Sequence, residues 1–158
     1  MKKSVAADAP IRYRETDPVA FKALNEIGII AQLVRTELER AAGDALSGAG
    51  FNVLNHLARL PGDWAPARLA RAFQVTKGAM TNTLQRLEAA GYVKIVGDPA
   101  DGRAKHVTIT AKGLKARNAT LARLMPAISA FTATVGEETL ARLLPDLARL
   151  RAALDEAR

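Results

Sequence analysis

Lys77, Gly78, Thr81, Asn82 and Gln85 recur at a spacing that gathers them on one side of a helix, away from Met80, Leu84 and Leu87. Their side chains offer an ammonium, a hydroxyl and two carboxamides, a set with no catalytic pairing in it. A carboxamide presents a donor and an acceptor in one plane, the pattern that pairs with an adenine edge, and an ammonium donates to guanine. Gly78 permits close approach of the backbone to a ligand. Thr76 and Thr81 carry small hydroxyls suited to phosphate oxygens, and the N-terminus of their helix favours the same anion. Further on, Arg103 and Lys105 stand in the turn Asp98-Pro99-Ala100-Asp101-Gly102-Arg103-Ala104-Lys105. A guanidinium at such a tip can enter a narrow, electronegative minor groove, while Lys105 suits a phosphate. Asp101 is read as a support that orients Arg103, since a carboxylate facing phosphates is repelled. Arg68, Arg71 and Arg86 flank the helix and are read as phosphate contacts, with Glu88 or an acid of a second chain as the alternative partner of Arg86. The chemistry these residues share is recognition of double-stranded nucleic acid.

Charge and composition agree. The 158 residues carry a formal net charge of +7, and the stretch from Trp64 to Lys112 holds eight Lys and Arg against three acids. The surplus therefore sits around the candidate residues, as a nucleic-acid footprint requires. Cysteine is absent, which excludes disulfides, thiol redox sensing and thiolate metal sites. His56 and His106 are far apart, so no metal or other cofactor is expected. His56, on a helix beside Leu57, reads as a structural residue with its polar atoms satisfied. Without a Ser/His/Asp grouping, a phosphate-cradling glycine loop or metal-ligand spacing, no enzyme is expected. Lys2 and Lys3 precede no apolar run of signal-peptide length, and no apolar segment is long enough to span a membrane. A soluble, cytoplasmic protein with no membrane partner is the expectation.

The elements that must position these residues are mainly α-helical, because the apolar content is chiefly Ala and Leu and aromatic residues make up only 4%. Residues 1–16 read as a flexible N-terminal arm. Asp17-Pro18 reads as the cap and first position of a helix with Leu24, Ile27, Ala31, Val34 and Leu38 on one side and Ile29, Ile30 and Leu33 widening the stripe, ending at Gly43. Ser47 caps a second helix that ends before Pro61-Gly62; Gly48 and Gly50 weaken its first turn for no reason visible in the sequence. Pro66 opens a short third helix. Thr76 caps a fourth, which runs to Gly91. Leu69, Ala70, Val75, Met80, Leu84 and Leu87 fit two short helices crossing at a tight turn, a helix-turn-helix, although a plain helical hairpin has the same spacing. Alternation then replaces the helical period: Val93 and Ile95 before the turn, Val107 and Ile109 after it, a β-hairpin with a long loop. Thr110 caps a long helix that Pro126 should kink, and Gly136-Glu137-Glu138 starts a last one with Leu140, Leu143, Leu144, Leu147, Leu150 and Leu154 in a stripe crossed by Pro145. The organisation is thus a winged helix-turn-helix over residues 44–110, flanked by helices at 17–43 and 111–158 whose apolar stripes should pair with a second subunit.

Three segments resemble the MarR-type bacterial regulators. The first is Leu46-Ser47 with Phe51-Asn52-Val53-Leu54-Asn55-His56-Leu57. The second runs from Leu69 to Val93. The third, and most specific, is Asp98 to Lys105 with Val107-Thr108-Ile109-Thr110-Ala111-Lys112-Gly113. The likeness covers roughly residues 20–155. It implies a homodimer whose N- and C-terminal helices interleave above two winged-helix lobes. It also implies a pseudo-palindromic operator, and a repressor released by a small aromatic or phenolic effector. An alternative is a regulator that senses no ligand and acts by competing with or assisting other promoter-bound proteins. Gly78 in the recognition helix, and Pro126 and Pro145 in the dimerisation helices, depart from the family pattern.

Overall fold

The computed structural model describes residues 13–43, 46–60, 62, 64–97 and 105–157. The chain divides into two compact units, residues 1–36 and 37–158. Helix α1 (Val19–Ala42) supplies most of the first, and its last turn belongs to the second.

In the first unit, the Pro18 carbonyl accepts from the Lys22 amide at 3.1 Å and opens α1. Asp17 does not take the capping role expected for it; its carboxylate accepts from the Arg14 amide at 2.8 Å. The Tyr13 hydroxyl donates to Glu26 Oε1 at 2.7 Å and accepts from Asn25 Nδ2 at 2.9 Å. The end of the expected arm is therefore tied to α1, while residues 1–12 lie outside the described residues. Val19, Phe21, Leu24, Ile30, Leu33 and Val34 are all exposed.

In the second unit, α2 (Gly48–Arg59), α3 (Pro66–Ala72) and α4 (Lys77–Ala89) precede an antiparallel pair, β1 (Val93–Gly97) and β2 (Lys105–Ile109). Helices α5 (Ala111–Val135) and α6 (Glu137–Glu156) follow. Leu54, Leu69, Leu84, Val93 and Val107 lie at the centre of one apolar core. Ser47, Thr76 and Thr110 cap α2, α4 and α5, their hydroxyls accepting from the amides of Gly50, Ala79 and Gly113 at 3.1, 3.1 and 3.0 Å.

Packing accounts for the glycines at the start of α2. A Cβ on Gly50 would lie 2.9 Å from Leu46 Cδ1 and 3.2 Å from Leu87 Cδ2, and one on Gly48 would lie 3.2 Å from Glu39 Cγ. The first turn of α2 gives up helix propensity so that α4 can press against it.

Helices α3 and α4 end in the same motif. Tyr92 and Gly91 donate to the Leu87 and Glu88 carbonyls at 2.8 Å each, and Val75 and Gln74 donate to those of Ala70 and Arg71 at 3.0 and 3.1 Å. Each ending needs one residue in the left-handed region. Gly91 supplies it at φ +73°, but in the helix-turn-helix turn Gln74 does so at φ +54°. A side chain there is strained by about 1 kcal/mol.

Val93 pairs with Ile109, Ile95 with Val107 and Gly97 with Lys105. Trp64, unremarked in the sequence, adds a bridge: its carbonyl accepts from the Val107 amide at 2.9 Å, and its indole donates to the Leu60 carbonyl at 2.8 Å. Helix α5 spans Pro126 and α6 spans Pro145. Neither proline ends its helix; each removes one amide donor from it. Leu143, Leu144, Leu147, Leu150 and Leu154 are exposed, and α6 buries no residue at all. Among the described residues no helix is long and apolar enough to cross a membrane.

Candidate nucleic-acid interface

Helix α4 buries Met80, Leu84 and Leu87 and leaves Lys77, Gly78, Thr81, Asn82 and Gln85 exposed. A Cβ on Gly78 would meet nothing within 4 Å, so the backbone there is open to an approaching surface. The hydroxyls at the two threonines are already engaged. Thr76 accepts from Ala79 and keeps its proton for an outside acceptor, whereas Thr81 donates to the Lys77 carbonyl at 2.8 Å. In that rotamer Thr81 has no proton left for a phosphate oxygen, which is itself an acceptor.

The wing strand and α4 form one groove. Thr81, Gln85 and Glu88 of α4, Ile95 and Gly97 of β1, Lys105 of β2 and Pro66 of α3 line a cavity of about 340 Å³. The Glu88 carboxylate accepts from the Ile95 amide at 3.0 Å, which fixes the strand against the helix. The candidate partner of Arg86 is thus used to hold the wing. Arg86 itself points to the other side of α4, where it lines a cavity of about 210 Å³ with Leu46, Ser47, Gly50 and Tyr92. Arg71 and Lys77 line a third, of about 670 Å³, with Ala67, Ala70, Gln74, Val75 and Asp155 of α6. The structure therefore brings Thr81, Gln85 and Lys105 together, places Arg71 and Lys77 on one cavity, and sets Arg86 apart. Arg103 and Asp101 lie outside the described residues.

Arg68 is exposed, with its guanidinium 4.1 Å over the Trp64 ring. Behind it, the His56 ring stands edge-on to Trp64 at 4.2 Å and to Phe73 at 5.2 Å. This aromatic cluster was not legible as a motif, because its members come from α2, the bridge residue and the end of α3. It also corrects the reading of His56 as satisfied: Nε2 is buried with no hydrogen-bond partner. Burial, and then the cations of Arg59 and Arg68, lower the His56 pKa from its usual 6.5. The unfolded chain binds a proton there more readily than the native one, so stability rises with pH across the window below 6.5. Thermal unfolding is expected to occur at lower temperature at about pH 5 than at about pH 7, with His56→Leu flattening the difference. Equal slopes in both proteins would contradict this assignment.

The model of the MarR family matches residues 46–104, the segment that carries α2 to the wing. No curated protein matches the chain in sequence. Among solved structures, the transcriptional regulator BldR from Sulfolobus solfataricus superposes with a TM-score of 0.74 at 24% identity, over 85% of this chain and 95% of that one. MarR gives 0.76 at 23%, over 94% and 98%. The transcriptional regulator Tm0710 from Thermotoga maritima gives 0.57 at 27%, over 87% and 96%. The fold is that of these regulators: a winged helix-turn-helix with flanking helices.

Proposed function

We propose that the chain, whose residues 46–104 match the model of the MarR family, is a homodimeric, sequence-specific DNA-binding transcription regulator. The observation that carries this reading is the groove in which Thr81 and Gln85 of α4 face Lys105 of the wing, with Lys77 and Asn82 exposed on the same helix. Helix α4 enters the major groove with Lys77, Asn82 and Gln85 toward base edges. Thr76, Lys105 and Arg71 take phosphates. Arg103, supported by Asp101, enters the flanking minor groove. Arg68 and Arg86 contribute backbone contacts from the two sides of α4.

The boundaries read from the sequence serve this function: a reading lobe at 44–110, between dimerisation helices at 17–43 and 111–158. Exposed leucines along α6 and exposed Met125, Ile128 and Phe131 on α5 support the second subunit. A pseudo-palindromic operator follows from two-fold symmetry. The regulator acts as a repressor released by a small aromatic or phenolic effector. The 670 Å³ cavity offers such a ligand apolar walls at Ala67, Ala70 and Val75 and polar groups at Arg71, Gln74, Lys77 and Asp155.

Two substitutions separate base reading from backbone contact. Asn82→Ala is expected to change preference at one base position by about 1–3 kcal/mol on a panel of point-mutated operators. Lys105→Ala is expected to weaken all members alike and lower the salt slope by about one unit. A uniform loss for Asn82→Ala would remove it from the base-reading set.

A further inference from the structure

Two arginines of α5 make contacts that neither the DNA-facing groove nor the apolar core uses. Arg117 directs Nε and Nη2 onto the single oxygen Asn55 Oδ1 of α2, at 3.1 and 2.7 Å, and its Nη1 donates to Asn118 Oδ1 at 3.0 Å. Two turns later, Arg123 donates from Nε to the Ala41 carbonyl at 2.6 Å. Its Nη2 donates to the Ala42 carbonyl at 3.3 Å and to the Thr120 hydroxyl at 3.2 Å. The last carbonyls of α1 carry the negative end of its dipole, so a guanidinium is a fitting cap there. Thr120 is fully buried.

What these contacts hold is decided by what else holds α5. The core cluster contains no residue of α5, and from that helix only Leu124 packs against it. Helix α5 buries Gly113 and Thr120 and no other residue. Gly113, close against the Tyr92 carbonyl, anchors the first turn of α5 to the lobe; beyond that turn, apolar packing is non-directional and leaves the direction of the helix loosely set. A planar guanidinium with two donors converging on one oxygen is directional, and ordering such a long side chain is costly unless the contact is used. Downstream on the same helix stand the exposed Met125, Ile128 and Phe131. A helix is stiff, so whatever fixes its Arg117 end to α2 fixes where the lobe hangs from the surface those residues form.

We propose that Asn55, Arg117 and Arg123 are positioning residues that set the separation of the two recognition helices, and hence the half-site spacing the protein accepts. The proposal rests on the dimeric DNA-binding reading above. It requires no contact between these residues and DNA.

The test uses the full chain and an operator duplex selected by that protein from random-sequence DNA. Variants of the duplex carry one or two base pairs inserted between half-sites, and a further duplex carries one half-site alone. For Asn55→Leu, which leaves Arg117 without its acceptor, affinity for the native spacing is expected to fall about tenfold while affinity for the single half-site holds. The preference over the inserted duplexes should flatten, and Asn55→Asp, which restores an acceptor, should recover it. An unchanged preference in Asn55→Leu overturns the proposal. An equal loss on the single half-site overturns it too, since the residue would then act through folding of the lobe. A parent protein that selects no two-fold operator at all would instead refute the underlying reading, and that outcome is visible before any variant is made.

Discussion

A chain carrying Leu144→Glu and Leu147→Glu is expected to be monomeric at micromolar concentration and to bind a selected operator about 100- to 1,000-fold more weakly than the parent. The magnitude follows from the geometry of two linked readers. Once one lobe of a dimer is bound, the second meets its half-site at an effective concentration in the millimolar range, and that advantage vanishes with the dimer. The choice of residues follows from α6, which buries nothing while exposing five leucines along one stripe. At 65% exposure Leu144 can contribute little to the fold of its own chain, so a carboxylate there costs stability only if another surface covers it. Circular dichroism of the variant should match the parent, and sedimentation should show half the mass. A variant that stays dimeric and keeps its operator affinity would place the subunit contact elsewhere.

Gly113→Ala should be the most damaging glycine-to-alanine change among the described residues. It is expected to lower the free energy of unfolding by at least about 3 kcal/mol, read from the urea midpoint. The added Cβ would lie 2.0 Å from the Tyr92 carbonyl oxygen and 2.9 Å from its carbon. Neither atom can swing away, because they are backbone. That carbonyl accepts from the Thr110 amide at 3.0 Å, and the Thr110 hydroxyl donates to the Gly91 carbonyl at 2.7 Å. The start of α5 is thus laid directly against the end of α4. Relieving the clash would move the recognition helix, the wing or both. Gly78→Ala is the matched control, with open space around its Cβ; it should leave the midpoint unchanged or raise it slightly. A shift under about 1 kcal/mol for Gly113→Ala would mean that the junction yields more than close packing allows.

Most of this architecture was readable in residue order because its signals are local. Ser47, Thr76 and Thr110 cap the helices they were expected to cap, Gly91 ends α4, and the alternation of Val93, Ile95, Val107 and Ile109 marks the strands. What escaped was long-range. Nothing near Gly50 in the sequence announces Leu87, and nothing near Asn55 announces Arg117, 62 residues away. Trp64 carries no local signal of its bridge to Val107, 43 residues on. Asp17 was misjudged by one position because Asp before Pro is an equally good turn former. In the candidate site, the exposed face of α4 was legible from helical period alone. The engagement of the Thr81 hydroxyl, the stacking of Arg68 on Trp64 and the turning away of Arg86 depend on rotamers and neighbours that periodicity does not encode.

The central claim, that α4 and the wing read DNA as part of a two-fold dimer, meets its most direct test in one titration series. Random-sequence duplexes enriched by the purified protein would be bound back to it by fluorescence anisotropy across a range of salt concentrations. The enriched sequence is expected to carry two inverted half-sites about one helical turn apart. Its affinity is expected in the nanomolar range, falling by several powers of ten with added salt. Enrichment of no symmetric sequence, or an affinity indifferent to salt, would contradict it.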